Sequence, residues 1–457
     1  MKAWALPSPF RACSDLMESD RRSRPLLLRA FYAEERFPLF GTRSKPWRAL
    51  GALGVVLVLA GADARAQSMD LHGRLELQDA GEFFRGDSLA SALGAQEAND
   101  ALGDLRLIWE PDWGRWSLSV QTLLSVENGP TVRLARDEAN LLPPPPPTWF
   151  NLTNTFVNRG PTVASAGIDR LYIGYTSPET VVRVGRQALT WGSGLVFRPM
   201  DLFDPFSPSA TDTEYKPGVD MLYVQRLFGD GSDLQFVLAP RPTRFGAAPT
   251  ANDSSAALHY QTVLFGHRTT WLLARDHGDW VGAVSVNGAL KGATWNLEVV
   301  PTGVRREGVR VSGVANISDA LTLFGHNATV FGEYFRNGFG AGSGSIDYAG
   351  LPQDLKNRLA RGQVFDVRRD YLAAGLTLEV NPLFTLAPTL IADLDDGSLF
   401  LLAAGTWSLG DNLTLIAGAQ APIGRSGSEF GGLPLTAGSP LLLAPPGRIY
   451  LQLRRYF

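Results

Sequence analysis

The stretch Arg448-Ile449-Tyr450-Leu451-Gln452-Leu453-Arg454-Arg455-Tyr456-Phe457 decides how the rest of the chain is read. Ile449, Leu451 and Leu453 recur at every second position, and polar Arg448, Gln452 and Arg454 stand between them. A two-residue period describes a strand with one apolar and one wet face. The same alternation returns from Asp70 onward. It breaks at short turn clusters such as Pro111-Asp112-Trp113-Gly114, Ser177-Pro178-Glu179-Thr180 and Gly410-Asp411-Asn412. It also breaks at six longer polar or Gly/Pro-rich stretches: 79–102, 127–165, 189–217, 241–255, 337–369 and 422–446.

Strands are predicted near 70–78, 103–110, 115–126, 166–176, 181–188, 218–228, 233–240, 256–264 and 268–276. The others fall near 280–288, 292–300, 308–317, 326–336, 370–380, 384–393, 398–408, 413–421 and 447–457. The count of eighteen passes a parity test. With both chain ends on one side of a sheet closed on itself, every long stretch falls on the other side, as short-turn, long-loop barrels require. The expected fold is therefore all-β, a transmembrane antiparallel up-and-down barrel of about 18 strands, with 16 as the alternative count. Faces sort cleanly in several strands. In 115–126, Trp116, Leu118, Val120, Leu124 and Val126 oppose Ser117, Ser119, Gln121 and Ser125. Strands 268–276 and 326–336 sort poorly, which predicts bulges there. Trp109, Trp113, Tyr175, Phe228, Trp280 and Phe384 gather at strand ends, as interfacial aromatics do.

Ahead of the barrel, Arg43, Lys45 and Arg48 precede an apolar run from Ala49 to Ala60 and the small-residue site Ala64-Arg65-Ala66. That order is a secretory signal peptide, residues 43–66. Residues 1–42 read as a mis-assigned start, and 67–457 as the mature barrel. Removing 1–66, with eleven basic and six acidic residues, moves the net charge from −3 to −8 and takes away the only cysteine, Cys13. An acidic, cysteine-free chain suits an oxidising compartment and gives no footprint for nucleic acid.

The closing strand, ending on Tyr456 and Phe457, resembles that of Gram-negative outer-membrane barrels, although Arg455 stands where that family usually has an aromatic residue. The resemblance implies a place in the cell outer membrane, contact with its lipid and lipopolysaccharide, and insertion by the barrel assembly machinery. Tyr456 and Phe457 would be the assembly signal. Inside the chain, Gly185-Arg186-Gln187 followed by Trp191-Gly192 resembles a pattern of porin-like and alginate-export-like outer-membrane families. That likeness implies an 18-stranded channel without naming its solute. The first strand starts so soon after Gln67 that no globular plug precedes it.

Enzymatic signals are weak. The five histidines are scattered, and there is no HExxH, GxSxG elbow or P-loop. No cofactor or metal is expected; Asp393, Asp395 and Asp396 read as a solvated turn rather than a calcium loop. The segment from Leu189 to Phe206 is more apolar than an exposed loop should be, so 189–210 is expected to fold inward against the barrel wall. Candidate constriction and lumen residues are Arg170, Arg183, Arg186, Gln187, Trp191, Arg198, Asp201, Glu298, Arg310 and Glu379. Pro143–Pro147, flanked by Leu142, Trp149 and Phe150, forms a polyproline rod in an outer loop. Residues 352–363 read as a short helix over the mouth. These features point to a passive channel for small solutes. The alternatives are a conduit for amphipathic or lipid-like molecules, a polysaccharide export pore with a periplasmic partner, or a sealed structural or receptor barrel.

Mass spectrometry of the protein isolated from membranes should find its N-terminus near Gln67. Peptides from residues 1–42 in that material would refute the early-start reading.

Overall fold

The computed structural model describes residues 71–137, 146–305 and 307–457. The signal peptide, the segment before it and Pro143–Pro145 of the proline run lie outside the described residues. Eighteen long strands form the wall, numbered here in chain order. They are β1 (Leu71–Phe83), β2 (Glu97–Trp109), β3 (Trp116–Asn128), β4 (Thr162–Thr176), β5 (Thr180–Gln187) and β6 (Val219–Leu227). Next come β7 (Asp233–Ala239), β8 (Ser255–Leu264), β9 (His267–Asp276), β10 (Asp279–Leu290), β11 (Ala293–Val304) and β12 (Gly308–Leu323). The last six are β13 (His326–Arg336), β14 (Asp370–Asn381), β15 (Phe384–Asp393), β16 (Leu399–Gly410), β17 (Leu413–Ile423) and β18 (Gly447–Tyr456).

Each strand pairs antiparallel with its neighbours in sequence, and β18 returns to β1 through the register Arg74↔Tyr456 to Phe83↔Gly447. The sheet is thus a closed 18-stranded barrel, and closure removes the unpaired edges that β1 and β18 would otherwise present. The outer face carries a band of exposed apolar side chains, among them Trp280, Val284 and Leu290 along β10. Ten residues separate the ends of that series, about 33 Å of strand and roughly 25 Å of height at the usual barrel tilt.

Turns at the end holding Phe457 are tight. Phe265-Gly266, Lys291-Gly292 and Phe324-Gly325 have positive φ at both residues, the type I′ geometry that matches strand twist. Long connections sit at the opposite end: L1 (84–96), L2 (129–161), L3 (188–218), L7 (337–369) and L9 (424–446). Among the described residues three short helices belong to them: α1 (Leu89–Ala92), α2 (Pro130–Asp137) and α3 (Gln353–Ala360). Leu89 of L1, Tyr348, Leu355 and Leu359 of L7, and Leu433 and Leu443 of L9 form a buried cluster over the mouth. Leu442 N–H donating to Asp87 O (2.9 Å) and Tyr348 N–H donating to Pro434 O (2.9 Å) knit the three loops.

The expected bulges in β9 and β13 are absent; both strands keep unbroken register with their neighbours. Those strands sort poorly because their inner face is apolar too, with Leu272 and Ala274 on β9 and Phe335 on β13 packed beneath L3. Register shifts occur instead at Gln121/Thr122, Glu379/Asn381 and Ser408/Gly410.

The chain terminus completes the seam. Gly73 and Phe457 exchange backbone hydrogen bonds of 3.0 and 3.2 Å. A Cβ on Gly73 would lie 2.4 Å from the Phe457 ring and 2.6 Å from Arg106 O. Gly73→Val should therefore cost about 1–3 kcal/mol by overpacking and lower the fraction of heat-modifiable barrel on a gel. An unchanged folded fraction would mean that the terminal ring is not held at the seam.

Candidate functional site

L3 leaves β5, enters the barrel and crosses it twice before β6 begins. On the outward pass Trp191 is buried; its indole N–H donates to Gln235 Oε1 on β7 (2.9 Å), and its ring stacks 4.9 Å from His259 on β8. Trp191, Met200, Leu202 and Phe203 pack on Met221, Val237, Leu272, Val281 and Val300 of the wall. Phe197 reaches farther round, stacking 4.4 Å from Phe335 on β13 and lying 5.6 Å from Tyr371 on β14. Burial of each large side chain contributes about 2 kcal/mol, which offsets the entropy of ordering a long segment.

The backbone of this pass is held by carboxylates of the wall. Glu298 on β11 accepts from Ser193 N–H, while Glu333 on β13 accepts from Leu195 N–H (2.6 Å), Val196 N–H (2.9 Å) and Phe197 N–H (2.7 Å). Asn316 Nδ2 bridges Ser193 O (3.1 Å) and Glu333 Oε2 (3.0 Å). Gly192 has φ 92°, and a Cβ there would sit 3.2 Å from both Glu298 oxygens. A Cβ on Gly194 would meet Phe197 O at 1.7 Å. Both glycines are required for this bend.

The return pass is tied to the opposite wall by charge. Ser209 O accepts from Gln420 Nε2 of β17 (2.6 Å). Arg74 of β1 donates to Asp212 (2.7 Å) and Glu214 (2.8 Å), and Arg454 of β18 lies 3.2 Å from Asp212. Tyr456 Oη–H donates to Glu214 (2.8 Å), and Tyr215 lies under the guanidinium groups of Arg74 and Arg106 at 4.9 and 4.3 Å. Burial pushes the Asp212 carboxyl up, but the hydrogen bond from Arg74 and the charge of Arg454 outweigh it and leave the group below the usual range. Within L3, Lys216 Nζ donates to both Asp201 oxygens (2.7 and 2.6 Å) and to Leu189 O (2.6 Å). Burial raises Asp201 to about 6 against the pull of Lys216, and burial lowers Lys216.

Trp191, Asp201 and Glu298 thus come together with L3. Gln187 is buried, its Nε2 donating to Met221 O (3.3 Å). Arg170 is buried against Asp169 (2.9 Å) and the Lys216 carbonyl. Arg183 stands over the rings of Tyr172 (5.6 Å) and Tyr223 (5.8 Å). Arg198 donates Nε–H to Gly194 O (3.3 Å) and borders a cavity of about 60 Å³ between L3 and L7, walled by Phe197, Pro199, Phe206, Phe339 and Phe365. Arg310 and Glu379 stand apart from L3, near opposite ends of their strands: Arg310 is 3.6 Å from Glu307, and Glu379 accepts from Asn327 (3.0 Å).

Arg186 corrects the expectation of a lumen residue. Its cross-strand partners are Leu171 and Asp220, one position out of step with Gln187, Val219 and Met221, which face L3. It pairs with Asp220 at 2.9 and 2.8 Å on the outer side, and that pair grips Phe150: the Phe150 carbonyl accepts from Arg186 (2.5 Å) and its N–H donates to Asp220 (3.0 Å). Trp149 and Phe150 are exposed and stacked 4.9 Å apart on that outer surface, next to a short strand, Thr153–Arg159, that pairs with β4. The sequence reading also missed Glu333, Asp212, Glu214, Tyr215 and Lys216. Asp393, Asp395 and Asp396 serve the loop junction, where Asp395 accepts from Arg369 and Asp370 N–H and Asp396 from Arg368. Among the described residues no acidic, histidine or cysteine group has metal-holding geometry.

Lys216→Met leaves Asp201 buried without its partner and should destabilise the fold by about 3–5 kcal/mol, seen as earlier unfolding in denaturant. Asp201→Asn combined with Lys216→Met should recover most of that loss. Equal instability of the single and double variants would show that the charges are not coupled.

No protein-family model matches the sequence, and no curated relative matches it. The structure is similar to OccAB3 of Acinetobacter baumannii, at 12% identity over 85% of this chain and 99% of that one, with a TM-score of 0.48. It is similar also to a BenF-like porin from Pseudomonas fluorescens Pf-5 (10% identity, 85% and 98% covered, TM-score 0.49). A third is OpdK of Pseudomonas aeruginosa, solved with vanillate (10% identity, 85% and 98% covered, TM-score 0.46). At these identities the likeness concerns the fold.

Proposed function

We propose that the chain is a porin-like channel of the Gram-negative outer membrane, passing small solutes passively around L3. The observation that carries this reading is a closed 18-stranded barrel, apolar outside, with a long segment laid across a lumen whose β1–β4 and β17–β18 walls are polar. A wall of that size encloses more space than its own side chains occupy. Narrowing it with a loop gives a selective passage without a separate plug. Trp191, Arg198 and Asp201 then belong to the narrowest level, with Arg170, Arg183 and Gln187 around it and Arg310 and Glu379 at the two approaches. Lipid and lipopolysaccharide would contact the apolar band, and Tyr456 and Phe457 would be read by the barrel assembly machinery.

A conduit for amphipathic molecules is the second reading. It draws on the roof formed by L1, L7 and L9, and on the aromatic-walled cavity beneath it.

Conductance of protein purified from membranes, measured in a planar bilayer, tests the proposal. The wild type should show discrete channels. Replacing Trp191–Phe206 with a short Gly/Ser linker should raise single-channel conductance severalfold while the barrel stays heat-modifiable. A folded wild type and linker variant that both fail to conduct would make this a sealed barrel.

A further inference from the structure

We infer that Glu333, seconded by Glu298, is the positioning residue that latches L3 across the lumen, an inference that rests on the channel reading above. The two side chains are 1% and 0% exposed, on a stretch of wall that carries Val300, Val314, Phe335 and Tyr371 beside Asn296 and Asn316. A carboxylate in such surroundings needs full compensation, by a counter-charge or by hydrogen bonds. Among the described residues neither has an ion-pair partner. Glu333 has four donors instead: the N–H groups of Leu195, Val196 and Phe197, and Asn316 Nδ2. Four donors fill the accepting capacity of one carboxylate. Three successive main-chain N–H groups make the concavity that proteins use to hold anions. Here the anion belongs to the wall and the concavity to the loop.

Glu298 is half-served. One oxygen accepts from Ser193 N–H and, at 3.5 Å, from Asn296 Nδ2, while Oε2 has no hydrogen-bond partner. Its compensation depends on the loop, and on Gly192 leaving room for it.

Asp and Arg partners on the other wall play the same part for the return pass, but they join side chains, whereas Glu333 grips the backbone at the centre of the crossing.

Glu333→Gln keeps the shape but turns one oxygen into an NH2 group facing an N–H donor. In protein purified from membranes, amide hydrogen exchange at Leu195, Val196 and Phe197 should become at least tenfold faster than in wild type, and open-channel conductance or open probability should rise. Glu298→Gln should do the same at Ser193 and serves as the variant of record if Glu333→Gln loses heat-modifiability. Unchanged exchange at these amides in a folded variant overturns the latch, whatever the conductance does. Faster exchange in a barrel that never conducts upholds the latch and rejects the channel reading.

Discussion

A closed sheet of eighteen strands solves one problem and creates another. Closure pairs β18 with β1, so that no strand edge faces an apolar surround in which unpaired N–H and C=O groups would cost several kcal/mol each. The same closure fixes a circumference too large for the inward side chains to fill. L3 is the answer to that second problem, and most of what is unusual in the barrel follows from it. Inner faces from β6 to β16 carry apolar clusters because they form a core with the loop, with polar groups such as Gln235, Glu298 and Glu333 set among them to meet its N–H groups. Inner faces of β1, β2 and β18 are charged because the loop returns there with Asp212, Glu214 and Tyr215.

The loop is built for both walls. Trp191, Phe197, Met200 and Phe203 come first and meet aliphatic and aromatic partners. Acidic residues come later and meet arginines. Lys216–Asp201, a buried ion pair internal to the loop, joins the end of the second part to the first, and Lys216 also binds Leu189 O and so closes the base of the excursion. A buried pair contributes little net stability compared with apolar packing, but breaking it is expensive. It therefore specifies a single path for the loop rather than adding much to its affinity for the wall.

Strand order and parity were legible in the sequence because a two-residue period survives wherever one face is lipid-like and the other wet. The apolar run from Leu189 to Phe206 also announced itself, since apolar residues at a wetted position must pack on something. Glu333 was not legible. Its strand reads Val330-Phe331-Gly332-Glu333-Tyr334-Phe335, in which apolar residues lie on both faces, and the missing alternation suggested a bulge. The physical cause is that the inner face is itself covered. A strand without clean alternation, facing an apolar loop elsewhere in the chain, is the signal that would have found it. Arg186 misled for the converse reason: an arginine in an alternating strand reads as lumen, but here the polar outer position is roofed by Phe150 and neutralised by Asp220.

The two ties of L3 set opposite chemistry on its two sides: Arg74 and Arg454 meet Asp212 and Glu214 of the loop, while Glu333 accepts from three loop amides and Glu298 from one. In ring order β11 lies eight strands from β1, and β13 lies five strands from β18. Glu76 of β1 sits between the two arginines, 3.3 Å from Arg74 and 2.7 Å from Arg454, so the wall supplies one carboxylate to them and the loop two. The loop that occupies the lumen is therefore part of the counter-charge of one wall and supplies hydrogen-bond donors to the other.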